Sequence, residues 1–142
     1  MLAPNVFWHA VRRLNFVPTA DMFASREHHR VPRYYSKDHR DCLAIGNAFN
    51  TNWQREQRPY INPPSTDLLR VLQKIQKDQV RALVVAPEWR QNPTWYPLWE
   101  KLVENSFVFY DPPYHDESGS FRPHPGWNTM FAILNGRASR LK

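Results

Sequence analysis

A single cysteine, Cys42, stands among 142 residues. That excludes an internal disulfide framework and any site built from several thiolates. Glycine is scarce too, at four residues. Walker-type phosphate loops and the dinucleotide fingerprint each need several glycines in one turn, so both are excluded. No stretch approaches the ~18 consecutive apolar residues that a membrane-spanning helix needs, and no membrane partner is expected. Metal-ligand spacing is also missing. His28 and His29 are adjacent and point apart in any regular structure. A zinc site needs three or four convergent ligands, so none is expected.

What is present points to a packed domain. The mean hydropathy of −0.69 is low. Yet aromatic residues make up 14% of the chain and include six Trp, and disordered chains are poor in aromatics. The length accommodates one domain, residues 1–142. A fold of this size buries roughly 68–70% of its unfolded surface, enough for a core without staples. The 19 Lys and Arg exceed the 13 Asp and Glu, for a net charge of +6. Residues 1–40 carry +4, residues 41–114 carry zero and residues 115–142 carry +2. Basic flanks on a neutral middle point to an anionic partner, most often nucleic acid.

Periodicity places the elements. Arg12 and Arg13 without an acid in the first 20 residues suit a transit peptide. However, Phe7, Ala10, Val11 and Leu14 share one helical face, and residues 4–15 read as a packed amphipathic helix opened by Pro4. Strands are expected at 20–24, 42–47, 59–61, 81–86, 106–110 and 129–134. Cys42 in its apolar run reads as a small buried residue. Residues 25–41 read as a basic loop. Thr66 is expected to cap a helix with the stripe Leu68, Val71, Leu72 and Ile75, and Thr94 a helix with Trp95, Trp99 and Leu102 facing inward. Trp89, Trp95 and Trp99 read as core or loop packing, or else as a partner interface. Strands alternating with helices predict an α/β fold, a mostly parallel sheet with flanking helices.

Two segments carry candidate chemistry. Asn62-Pro63-Pro64-Ser65 lies between a strand and a helix, where ligands bind in open α/β sheets. The prolines stiffen the turn, and the Asn62 side chain and a neighbouring carbonyl can accept hydrogen bonds from an exocyclic amine. Taken alone, Asn-Pro-Pro also serves simply to stop a strand. The basic loop sets Arg26, Arg30, Arg33 and Lys37 among Tyr34 and Tyr35. Guanidinium forks grip phosphates and tyrosine rings stack on bases. Arg12 and Arg13 add to the same basic flank. Asp111-Pro112-Pro113-Tyr114 also follows a strand, but no capped helix comes after it, and it reads as a strand stop.

These motifs, in this order, resemble the Dam-like adenine-N6 methyltransferase domain of phage enzymes and of DIRS-type retroelements. The resemblance rests on Asp21-Met22-Phe23-Ala24-Ser25 running to Arg33-Tyr34-Tyr35-Ser36, then on Asn62-Pro63-Pro64. It continues through Arg70-Val71-Leu72-Gln73-Lys74-Ile75, Leu83-Val84-Val85-Ala86-Pro87-Glu88-Trp89 and Trp95-Tyr96-Pro97-Leu98. It spans about residues 3 to 136. It implies a single Rossmann-like methyltransferase-type domain. It also implies cofactor contacts at Asp21, Phe23 and Ala24, and a catalytic turn at Asn62, Pro63, Pro64 and Ser65.

The chain departs from that pattern at position 65, where the family places an aromatic ring that stacks on the flipped-out base. Ser65 has no ring, and such stacking is worth roughly 1–3 kcal/mol per base. The expected function is therefore a catalytically degenerate, retroelement-derived module that binds DNA or RNA. A ribonucleoprotein such as an organelle ribosome is one setting. A chain that begins at Met without the family's polymerase fits such repurposing. No cofactor is expected on this reading. Two alternatives stay open: an active adenine-N6 DNA methyltransferase using S-adenosylmethionine, and a structural subunit held by protein contacts. An intracellular location is expected, in the nucleus or the mitochondrion.

Overall fold

The computed structural model describes residues 3–110 and 127–137. The elements run α1 (Pro4–Leu14), β1 (Ala20–Asp21), β2 (Pro59–Ile61), α2 (Leu68–Asp78), β3 (Arg81–Pro87), α3 (Tyr96–Leu102), β4 (Val103–Phe109) and β5 (Thr129–Asn135). They build an α/β fold around one five-stranded sheet of order β1-β2-β3-β5-β4. β1, β2 and β3 are mutually parallel, while β5 runs antiparallel to both β3 and β4. The sheet is thus mixed, and parallel only over its first three strands.

Side-chain alternation sorts the core into two layers. Ala82, Val84 and Ala86 of β3 and Met130, Ala132 and Leu134 of β5 pack with Leu72 and Ile75 of α2 and Trp99 of α3. The intervening Leu83, Val85, Phe131 and Ile133 pack with Phe7, Val11 and Leu14 of α1. A strand buried on both faces must be apolar at every position, which is why β3 and β5 read as unbroken hydrophobic runs. α1 starts at Pro4, whose fixed φ suits the first helical turn. It ends at Asn15 in the left-handed region, with Phe16 N–H donating to the Val11 carbonyl at 3.0 Å. Gly136 is required by close approach, because a Cβ there would lie 2.1 Å from the Ile75 carbonyl oxygen.

Several expectations need correction. Residues 42–47 form no strand. Asp41 accepts from the backbone N–H of Leu43 and of Ala44, both at 3.2 Å, and so holds the chain in a turn. Cys42 is consequently exposed rather than buried. β1 is two residues long, not five, because the chain leaves the sheet after Asp21. β4 begins at Val103, directly after α3, and not at residue 106. Its Glu104, Asn105 and Ser106 are exposed on an edge strand, so no apolar alternation marks them. Thr66 does not cap α2. It lies inside a 3₁₀ turn, Ser65–Asp67, that leads into the helix. Thr94 does not cap α3 either. No side chain caps that helix; Asn92 Oδ1 instead holds the turn ahead of it, accepting from the N–H of Thr94 at 2.9 Å and of Trp95 at 3.4 Å.

Candidate functional site

β1 and β2 lie side by side with Asp21 opposite Tyr60, so their carboxyl ends open on one edge of the sheet. Backbone leaving those ends cannot continue the ladder, and the gap between diverging loops forms a cleft. Two adjoining hollows of about 240 and 360 Å³ occupy it and share Phe23, Ala24 and Asn62 as walls. The first adds Asp21, Ser25, His28, Arg30 and Tyr60. The second adds Ser36, Lys37, Asp38, Pro63 and Pro64. Asp21, Phe23 and Ala24 thus meet Asn62, Pro63 and Pro64 across some forty residues of chain.

Ser65 does not join them. It is exposed and borders a third hollow of about 250 Å³, shared with Thr66, Leu69, Trp89, Asn92, Thr94 and Trp95.

Asp21 dominates the first hollow electrostatically. Only 3% of its surface is exposed. Oδ2 accepts the Arg30 backbone N–H at 2.9 Å. Oδ1 is buried and has no hydrogen bond of ordinary geometry among the described residues. Burial pushes this carboxyl up to about 6, against the opposing pull of the Arg30 and Phe23 backbone N–H groups and of the Arg30 and His29 charges. An acceptor oxygen starved of donors at the wall of a cleft suits a ligand that brings an ammonium or a hydroxyl group.

Three aromatic and basic residues of the loop make structural contacts. Arg33 forks onto Glu56, with Nε at 2.8 Å from Oε1 and Nη2 at 2.9 Å from Oε2. The Tyr35 hydroxyl donates to the same carboxylate at 2.6 Å. Burial acts against the charge of Glu56, yet the Arg33 guanidinium and the Tyr35 hydroxyl hold its carboxyl below the ordinary glutamate range. Tyr35 is pushed up to about 12, first by burial and then by that bond. Tyr34 is buried too, with its hydroxyl on Asp41 and its ring stacked on His29 at 4.3 Å. Its backbone bridges Asp21 in parallel and so extends the sheet edge.

The Arg33 fork and the Tyr34 and Tyr35 hydroxyls are thus engaged by Glu56 and Asp41, and none of the three residues lines either hollow. The reason is that Glu56 and Asp41, distant or unremarkable in sequence, supply partners that the loop itself lacks. Arg26 is exposed, Arg30 is half-buried, and Lys37 pairs with Asp67 while sitting 5.7 Å over the Phe23 ring. Arg12 and Arg13 lie on α1, which packs on the other face of the sheet from α2 and α3; the Arg13 guanidinium sits 4.5 Å over the Phe107 ring. The structure does not bring this pair into the cleft.

Trp95 and Trp99 are buried in the core, whereas Trp89 is half-buried at the third hollow. The placing of Trp89 beside Ser65 was not legible in the sequence, although both follow a strand and precede a helix. Asp111-Pro112-Pro113-Tyr114 lies outside the described residues. Among the described residues no helix is long and apolar enough to cross a membrane. No protein-family model and no curated protein matches the chain.

Proposed function

We propose that this chain is a methyltransferase-type domain of the Dam-like, retroelement kind, used as a nucleic-acid-binding module in which methyl transfer is weak or lost. One observation carries the reading. Asp21, Phe23 and Ala24 line the same cleft as Asn62, Pro63 and Pro64, at the carboxyl ends of neighbouring parallel strands. A methyltransferase-type domain requires that meeting of cofactor wall and amine-holding turn. The mixed sheet, parallel over β1 to β3 with β5 reversed, is compatible with it. Arg30 in one hollow and Lys37 in the other place cationic side chains where a phosphate backbone would pass.

A second reading, an active adenine-N6 methyltransferase, is favoured by Asp21. The larger hollow, about 360 Å³, falls in the range of small-molecule pockets, about 300–1,000 Å³, and the 240 Å³ hollow adjoins it. The donor-starved Oδ1 fits the ammonium or a ribose hydroxyl of S-adenosylmethionine. That cofactor would supply an electrophilic methyl group. Asn62 and the Pro63 carbonyl would accept hydrogen bonds from the target amine and aim its lone pair. What weighs against turnover is Ser65, which offers no ring in line with Asn62 to hold a base flat.

Fluorescence anisotropy with single-stranded RNA and duplex DNA across a salt series tests the first reading. Binding is expected to be sequence-tolerant and steeply salt-dependent. Replacing Arg26, Arg30 and Lys37 by Ala lowers the log–log slope on duplex DNA by about 2–3 if each meets one phosphate. A flat salt response, or a triple variant that binds like wild type, refutes it. Calorimetry with S-adenosylmethionine at ~100 µM separates the two readings. The binding module gives no isotherm, and an isotherm abolished by Asp21→Ala promotes the enzyme.

A further inference from the structure

We infer that the third hollow, bordered by Ser65, is a seat for one unpaired nucleobase, with the Trp89 indole as its stacking platform in place of the ring absent at position 65. This inference rests on the nucleic-acid reading above and assigns that reading a base-contacting residue.

The argument starts from what lines the hollow. Trp89 and Trp95 supply indoles, and Leu69 supplies an aliphatic wall. Trp95 keeps 3% of its surface exposed and contacts the Tyr96 and Trp99 rings, so it is committed to the core. Trp89 is only half-buried. Trp127 meets it edge-on, with ring centroids 5.1 Å apart at 72°. That contact orients the Trp89 indole, and no ring among the described residues stacks parallel on it.

The rim is polar. Ser65, Thr66 and Thr94 bring hydroxyls, and Asn92 an amide whose oxygen already serves two backbone N–H groups. Its Nδ2 donors are uncommitted among the described residues. Hydroxyls and an amide can exchange hydrogen bonds with either edge of any base, which suits tolerant recognition. That lining suits a planar, apolar-faced, polar-edged ligand, and in a protein of net charge +6 a nucleobase on its phosphate strand fits both features.

The position also explains holding without turnover. A ring at 65 would be covalently continuous with Asn62 and would align a base against it. Trp89 comes from the loop after β3, so it can grip the base while leaving its amino group unaligned with Asn62.

The test uses a short single-stranded DNA carrying one 2-aminopurine, and the same strand with an abasic site in its place. Wild type is expected to bind the base-bearing strand about tenfold more tightly, within the ten- to hundredfold typical of one stacked base, and to quench the 2-aminopurine. Trp89→Ala removes both the preference and the quench, and binds the abasic strand as wild type does. Trp89→Phe keeps a ring and restores part of the preference, which guards against a variant that merely fails to fold. Trp89→Ala that keeps the preference and the quench overturns the inference. So does a wild type that binds both strands equally, and in that case the nucleic-acid reading still stands. A wild type that binds neither strand overturns that reading and this inference together.

Discussion

Replacing Asp21 by Asn changes the charge of one buried oxygen and little else. The native carboxyl is raised from 3.8 to about 6 because burial penalises its charged form. Between those values the folded protein keeps a proton that the unfolded chain has released. Stability must therefore fall as pH rises through that window and level off above it. Two pH units at ~1.4 kcal/mol each amount to about 3 kcal/mol lost between pH 4 and pH 7. Asn carries no such dependence. It does leave an amide N–H₂ where Oδ1 now lacks a partner, at a cost of about 1–3 kcal/mol that does not vary with pH. The clean quantity is thus the pH dependence of the difference between the two proteins. Asp21→Asn is expected to gain on wild type by about 3 kcal/mol from pH 4 to pH 8. For a chain of this size that is roughly 6–12 °C in melting temperature. Every other titrating group is common to both proteins and cancels. Thermal melts followed by circular dichroism at pH 4, 6 and 8 measure it. Parallel pH profiles would show that burial imposes no cost on Asp21, and the argument for a donor-starved cleft would fall with it.

Glu56→Gln strips the charge from the carboxylate that Arg33 and Tyr35 share. It is expected to destabilise by about 1–3 kcal/mol in urea unfolding, and an unchanged midpoint would mean that the trio is ornamental. Gly136→Ala drives a methyl to 2.1 Å from the Ile75 carbonyl oxygen and should cost about 1–3 kcal/mol, with a lowered melting temperature as the readout. On the enzyme reading, Ser65→Tyr, which returns a ring to the turn, raises methylation of adenine-containing DNA above the wild-type level, scored by methyl incorporation; on the binding-module reading it does not. Should the variant bind S-adenosylmethionine and stay inert, the lesion lies elsewhere in the cleft.

Local pattern determined most of the framework. α1 and α2 follow from an apolar stripe at helical spacing, and β3 and β5 from runs that only a strand covered on both faces can afford. Those signals are properties of a short window and need no distant residue to be read. The meeting of Asp21 with Asn62 was expected only through the family resemblance, because no local pattern says that β1 and β2 are neighbours. Partnership was not legible. Arg33 and Tyr35 read as ligand contacts until Glu56, some twenty residues on, claims both, and Tyr34 until Asp41 does. Cys42 looked buried because its neighbours are apolar, yet the Asp41 turn carries Leu43 and Ile45 to the surface, 62% and 46% exposed. Ser65 and Trp89 border one hollow only because β2 and β3 are adjacent in the sheet. A side chain's type states which interactions it can make. Which of them it does make depends on what folding brings within about 3 Å, and that is settled by long-range packing.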